Sequence, residues 1–275
     1  MENDKNEYNK YLNEKYINLV NYIKKMRSCI LAFSGGVDST FLLKAAHEAL
    51  GNNVLAVTIS TPYIPRWEIK EAEDFTKNLG VKHEFIQTEI VDSIKYNPKD
   101  RCYLCKKTIF SKIKQLAQEK GYEYILDGTN FDDTKDYRPG MKALKELGVR
   151  SPLLENEFTK AEIRQASKIL ELSTWKKPAY ACLLSRIPYG NEIRIEDLKK
   201  IEKSEKYLIS IGFKAVRVRC HKDIARIEIA VEDMKNIFNI EVMNNIVSKL
   251  KEYGFKYVTL DMQGYRVSGM ELLEK

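Results

Sequence analysis

Between residues 29 and 50 the chain passes from five apolar residues, through a glycine turn, into a helical repeat, and no other stretch restricts its fold as strongly. Cys29-Ile30-Leu31-Ala32-Phe33 is flanked by polar residues and reads as a buried parallel strand. Ser34-Gly35-Gly36-Val37-Asp38-Ser39 breaks that pattern, and Phe41, Leu42, Ala45, Ala46 and Ala49 then recur at helical spacing from Thr40 to Leu50. The alternation continues with strands at 54–58, 82–87 and 124–127 and helices at 68–79 and 106–120, and an amphipathic helix over 8–27 precedes it. Such alternation specifies an α/β fold, a parallel sheet with helices on both faces. Ligands bind such sheets beyond the carboxyl ends of the strands. Residues 34–39, the segment that follows Thr58, and residues 128–133 all follow strand ends and are expected to meet in one cleft.

The pattern changes near Pro188-Tyr189-Gly190-Asn191. Beyond it a helix at 196–211, strands at 215–220 and 225–231, a helix at 232–253 and a strand at 256–261 predict a smaller α+β domain with an antiparallel element. The expected division is therefore 1–189 and 190–275. The chain has 275 residues, enough for two cores. No apolar run is long enough to cross a bilayer, so no membrane partner is expected. The N-terminus, MENDKNEYNKYLNEKY, is polar and carries acids, unlike a secretory signal, and a cytoplasmic location is expected. Five cysteines, an odd count in a chain of this size, do not make a disulfide framework. The net charge of +7 invites an anionic partner, but the lysines are spread along the chain and serve a solvated surface equally well.

Within the glycine turn, Gly35 and Gly36 let the backbone approach a ligand, and the helix tip that follows offers unpaired N–H groups to a pyrophosphate. Ser34 and Ser39 add hydroxyl donors. Asp38 is an acid in an anion site, which points to magnesium bridging carboxylate and phosphate oxygens. The Gly-Lys-Ser/Thr ending of a Walker loop is absent. The six residues resemble the SGGxDS signature of the PP-loop (adenine nucleotide α-hydrolase-like) ATP pyrophosphatases, which implies ATP cleaved between its α- and β-phosphates and AMP moved onto a substrate oxygen.

Cys102-Tyr103-Leu104-Cys105 precedes the helix at 106–120 and spaces two sulfurs to meet one metal or each other. Cys182 is a candidate third ligand, and three thiolates would hold an iron–sulfur cluster with one iron open. A dithiol couple, a zinc site and a buried Cys182 remain alternatives, although His47, His83 and His221 lack ligand spacing to the pair. Cys29 and Cys220 lie in predicted strands and read as core.

Longer segments are more specific: SGGVDST from Ser34, RCYLCK from Arg101, DGTNFDDTKDYRPG from Asp127, GVRSPL from Gly148, KPAYACLLSRIPYG from Lys177 and RVRCHKDIARIE from Arg217. Together they resemble the LarE family of sulfur transferases, which make the nickel-pincer nucleotide cofactor of lactate racemase. The resemblance implies that AMP activates each carboxylate of pyridinium-3,5-biscarboxylic acid mononucleotide in turn, and that sulfur then displaces the AMP. Of the family's two sulfur strategies, a sacrificed cysteine at the Cys182 position or a [4Fe-4S] cluster, the trio Cys102, Cys105 and Cys182 favours the cluster. It implies ATP and Mg2+ as cofactors, a trimer-based homo-oligomer and a possible sulfur-relay protein. Gly128, Thr129, Asn130, Asp132, Asp133 and Arg138, with Thr58, are candidate nucleotide-site residues. Arg217 and Arg219 share one strand face and, with Arg226 and Arg266, are candidate clamps for the substrate phosphate. Glu205 and Glu228 match acids of that C-terminal site, and Arg186 stands ready to stabilise an anion beside Cys182. The competing functions are tRNA thiolation by a PP-loop iron–sulfur enzyme, for which the chain lacks an obvious RNA-binding module, and nucleotide sensing without catalysis.

Overall fold

A computed structural model describes residues 2–135, 139–178 and 181–265, and the chain divides into two compact units. The larger comprises 1–61, 66–91 and 100–179. In chain order it contains α1 (Glu2–Lys24), β1 (Cys29–Ala32), α2 (Val37–Leu50), β2 (Val54–Ser60), α3 (Arg66–Leu79), β3 (Lys82–Gln87), α4 (Arg101–Lys120), β4 (Tyr124–Leu126), α5 (Pro139–Leu147), α6 (Pro152–Glu155) and α7 (Lys160–Ile169). The four strands are parallel and run in the order β3-β2-β1-β4, with Cys29 level with both Val54 and Tyr124.

Alternate strand residues feed opposite faces, as the two-residue period of a strand requires. Cys29, Leu31, Val54 and Ala56 pack with Leu19 and Ile23 of α1, Phe41 and Leu42 of α2 and Ile163 of α7. Ile30, Leu55 and Ile125 face the other way, against Phe110 and Ile113 of α4 and Leu144 of α5. Each such side chain, fully buried, contributes roughly 2 kcal/mol of transfer free energy. From β1 the chain winds outward to β2 and β3, and then returns to β4 on the other side of β1. The switch point therefore lies between β1 and β4, which is where a ligand crevice forms in sheets of this kind.

Three differences from the sequence reading concern elements. The helix expected at 106–120 begins at Arg101, because the Tyr103 and Leu104 N–H groups bond back to the Asp100 carbonyl, so the cysteine pair sits in its first turn. Helices α5, α6 and α7 were not anticipated. A Thr159–Glu162 capping box starts α7: the Thr159 hydroxyl and the Glu162 N–H bond each other, and the Glu162 carboxylate accepts from the Thr159 N–H at 2.8 Å. The single helix expected at 232–253 is broken, as described next.

The smaller unit comprises 62–65, 92–99 and 180–275. It holds α8 (Ile195–Ser210), β5 (Val216–His221), β6 (Ile224–Ile229), α9 (Met234–Ile237), α10 (Ile240–Glu252) and β7 (Tyr257–Leu260). Strands β5 and β6 form an antiparallel hairpin, and β7 adds parallel to β6. The break before α10 falls at Asn239, whose side chain caps the new helix by accepting from the Glu241 and Val242 N–H groups. Among the described residues no helix is long and apolar enough to cross a membrane.

Candidate active site

The glycine turn of the larger unit joins β1 to α2. Gly35 has φ +66°, a left-handed conformation suited to glycine, and a Cβ there would lie 3.2 Å from the Ala72 Cβ of α3. Gly128, just past β4, is pressed against the same helix tip: a Cβ would lie 3.0 Å from the Ser39 amide nitrogen. The two loops at the switch point are thus in contact, as their positions after adjacent strands predict. The Ser34 and Ser39 hydroxyls lie 3.1 Å apart, and Ser39 donates to the Gly36 carbonyl at 3.2 Å.

Asp38 is largely withdrawn from water. Burial raises its carboxyl above the usual range, while Lys160 opposes that shift. Its Oδ2 accepts from the Lys160 Nζ at 2.5 Å, and its Oδ1 is buried with no hydrogen-bond partner. An orphaned carboxylate oxygen inside an anion cradle is the donor a magnesium ion would use, so these residues fit the metal. Lys177 approaches from another side, donating to the Gly35 carbonyl at 2.9 Å and pairing with Glu71 at 2.5 Å.

Other candidates in the larger unit act on the loops themselves. The Thr58 hydroxyl donates to the Phe33 carbonyl at 2.7 Å. Its one hydrogen thereby spent, it accepts from the His83 Nε2 at 2.8 Å. Thr129 donates to Asp127 Oδ2 and Ser151 donates to Asp127 Oδ1, both at 2.5 Å. The Asn130 Oδ1 accepts from the Asp132 N–H at 3.0 Å, its own N–H reaches Asp133 at 3.0 Å, and Asp132 Oδ2 takes the Lys160 N–H at 2.7 Å. This last bond ties the β4 loop to the start of α7, the turn that carries Lys160. Lys160, Lys177 and Asp127 were not singled out from the sequence. Lys160 stands 122 positions from Asp38, and only the capping box marks its place at a helix start. Arg138 and Arg266 lie outside the described residues.

Cys102 is exposed and Cys105 half-buried on the first turn of α4, where three-residue spacing puts both on one face. Among the described residues no three His, Cys, Asp or Glu side chains are grouped so as to hold a metal ion. In the smaller unit Cys182 is half-buried and heads a short 3-10 turn, Leu183–Arg186. Its carbonyl accepts from the Ser185 N–H at 3.1 Å, the Ser185 hydroxyl at 3.0 Å and the Arg186 Nη1 at 3.2 Å. Arg186 also grips Glu205 through two bonds, at 2.8 and 2.9 Å, and the Ala181 carbonyl at 2.7 Å. The Asn97 side-chain amide donates to the Leu184, Ile187 and Pro188 carbonyls, and the Tyr63 carbonyl accepts from the Leu183 N–H at 2.9 Å. The Ala181 and Cys182 carbonyls and the Leu183 N–H are all held. Arg186 is thus committed to shaping the segment that carries the thiol.

On the β5–β6 hairpin, Arg217 lies opposite Glu228 and Arg219 opposite Arg226, all on one face. Glu228 is fully buried and receives both Arg219, through two bonds, and Arg226 at 3.0 Å. Arg219 also donates to the Ser185 carbonyl at 2.6 Å. Arg217 is 5% exposed, and burial, with Arg186 nearby, holds its pKa below the usual guanidinium value. It donates to the Tyr265 hydroxyl at 2.9 Å and lies over that ring, and no carboxylate lies within ion-pair reach of it among the described residues. A buried cation without a carboxylate is costly, which makes Arg217 a candidate anion contact.

A glycine loop and helix tip at the switch point of a parallel sheet, with an orphaned acid oxygen and no Walker lysine, define a PP-loop nucleotide-using protein. A family model described as NAD synthase matches residues 11–118. The pyridinium-3,5-bisthiocarboxylic acid mononucleotide synthase of Lactiplantibacillus plantarum is 38% identical over 93% of this chain and 93% of its own length. Uncharacterized proteins of Synechocystis and Methanocaldococcus jannaschii are 40% and 36% identical, covering 93% and 92% of this chain and 96% and 98% of their own lengths. The chain belongs to the LarE family of PP-loop sulfur transferases.

Proposed function

We propose that this protein uses ATP to insert sulfur into the carboxylates of pyridinium-3,5-biscarboxylic acid mononucleotide, forming AMP and pyrophosphate. The observation that carries the nucleotide half of this reading is the buried, unpartnered Oδ1 of Asp38 inside the glycine loop, and the likeness to the Lactiplantibacillus plantarum synthase carries the substrate and the sulfur. A carboxylate oxygen of the substrate attacks the α-phosphorus of ATP, and pyrophosphate leaves into the cradle of Ser34, Gly35, Gly36 and Ser39. Asp38 would hold a magnesium ion, which when bound would neutralise phosphate charge. Lys160 gives up Asp38 and turns to the phosphates, while Gly128 and Asn130 keep the β4 loop against the helix tip. Thr58, through the Phe33 carbonyl, sets the exit of β1. A sulfur nucleophile delivered at Cys182 then attacks the acyl carbon and AMP leaves, and the sequence repeats on the second carboxylate.

In this reading the larger unit carries nucleotide chemistry and the smaller unit substrate recognition. Arg217, Arg219, Arg226 and Arg266 receive the substrate's phosphate, Glu228 and Glu205 hold those guanidiniums and Arg186 in place, and Arg138 serves the nucleotide site. The cysteine trio of the sequence, Cys102, Cys105 and Cys182, is read through the likeness to LarE as the holder of a [4Fe-4S] sulfur carrier, in a trimer-based oligomer of the cytoplasm served by a sulfur-relay protein, although the described residues group no such ligand set.

The test is incubation of the protein with labelled ATP and the biscarboxylated mononucleotide, reading AMP, pyrophosphate and sulfur incorporation by mass spectrometry. Cys182→Ser is expected to form AMP without thiolated product. No adenylate with any carboxylated acceptor would end the proposal. Anaerobic purification with iron and sulfide analysis tests the cluster separately, and an iron-free, colourless protein refutes it.

A further inference from the structure

His221 ends β5 two residues beyond Arg219, so Arg217, Arg219 and His221 occupy one strand face at i, i+2 and i+4. Across the hairpin His221 pairs with Ile224 and stands diagonal to Arg226, within reach of a long side chain. The ring is half-buried, and its Nε2 is sealed from solvent without any hydrogen-bond partner. A buried ring nitrogen that bonds nothing calls for an explanation, because most such atoms are satisfied. The ring's surroundings supply one. It sits beside the arginine face, where Arg217 lacks a carboxylate and Glu228 is shared by two guanidiniums.

We infer that His221 is a proton-linked contact of the arginine face, taking up a proton when a phosphate monoester dianion binds there and donating through Nε2. This rests on the reading of that face as the site for the substrate's phosphate. Without ligand, burial holds the imidazole below its ordinary pKa, and Arg226 and Arg219 push the same way while Glu228 opposes them. The other charged groups packed about β5 are Arg186, Arg194, Asp197, Lys200, Glu205 and Asp223. A dianion among the guanidiniums reverses the sign of the local field, favours the imidazolium and gives Nε2–H an acceptor. The proton comes from solvent, and no bond to the ligand is made or broken.

The test uses the full-length protein with nicotinamide mononucleotide as probe, titrated calorimetrically in buffers of different ionisation enthalpy between pH 7 and 8.5. The probe's phosphate, with a second pKa of about 6, is already a dianion over that range, so its own titration does not weaken binding as pH rises. Wild type is expected to take up a fraction of a proton on binding and to lose affinity as pH rises, by at most about tenfold per pH unit for a single linked proton. His221→Gln, which keeps a hydrogen-bonding side chain, is expected to bind with no proton uptake and a flat pH profile. Proton uptake that persists in His221→Gln, or binding by wild type that is independent of pH, overturns the inference. Arg217→Gln separates the two claims. If it leaves the probe's affinity unchanged, or the probe does not bind wild type, the phosphate reading falls and this inference with it. If affinity depends on Arg217 but no proton is taken up, only the role of His221 falls.

Discussion

Gly128→Ala would test whether the two loops at the switch point must touch for nucleotide to bind. Gly128 has no positive φ, so alanine meets no backbone strain there, and the whole effect is steric. The added Cβ would sit 3.0 Å from the Ser39 nitrogen, 3.3 Å from its Cα and 3.4 Å from the Asp38 carbonyl carbon. All three are main-chain atoms in the first turn of α2, which cannot swing away as a side chain would. Relieving the contact requires the helix tip and the β4 loop to separate by a few tenths of an ångström, an overpacking cost of about 1–3 kcal/mol. For a unit of this size that lowers the melting temperature by roughly 3–10 °C. The same displacement moves the Ser39 N–H and the Asp38 carboxylate relative to the phosphates, and each 1.4 kcal/mol lost there weakens ATP by about tenfold. Thermal melting and ATP titration by calorimetry measure both. Gly121→Ala is the control. Gly121 caps α4 at φ +72° with nothing within 4 Å of a Cβ, so alanine costs about 1–2 kcal/mol of strain and leaves ATP affinity alone. A Gly128→Ala protein that binds ATP and melts like wild type would show that the loops have slack and that the close approach is incidental.

Asp38→Asn is expected to lower pyrophosphate formation by about a hundredfold or more without lowering the melting temperature at pH 7. A carboxyl whose folded pKa lies above its unfolded one weakens the fold at pH values above both, and the penalty fades as pH falls through the folded pKa. Removing it therefore flattens that pH dependence, and a marked loss of stability at pH 7 would contradict this. Breaking the buried Arg186–Glu205 pair with Glu205→Gln or Arg186→Met should cost about 3–5 kcal/mol in denaturant melts, and replacing both partners should cost less than the two single changes together. Thr159→Ala removes the α7 cap, with an expected loss of about 1 kcal/mol and weaker ATP binding through Lys160; unchanged ATP affinity would unlink α7 from the site. Burial pushes the Cys29 and Cys220 thiols up to about 12, leaving about one thiolate in ten thousand at pH 8. Iodoacetamide should accordingly label exposed Cys102 first under native conditions, and mass mapping that finds Cys29 or Cys220 modified as fast refutes the burial argument.

The strands and glycine turn of the larger unit were legible because their signals are local. Cys29 to Ser39 states an apolar run, a turn and a helix start within eleven residues, while the face that each strand residue takes came from the packing of the helices. The arginine face was legible for the same reason, since Arg217 and Arg219 alternate with valines along β5. Helices α5 to α7 left a weaker trace, a capping box at Thr159 that goes unnoticed without a long periodic stretch behind it.

What only the tertiary structure decided is which charges meet. Lys160 and Asp38 form an ion pair 122 residues apart, Arg186 is spent on Glu205 and on the carbonyls around Cys182, and the Thr58 hydroxyl faces the Phe33 carbonyl. A sequence names the groups able to ionise or donate. Whether a group is paired, orphaned or buried depends on which distant segments the packed sheet and hairpin bring within about 3 Å, and that distance is set by the fold as a whole.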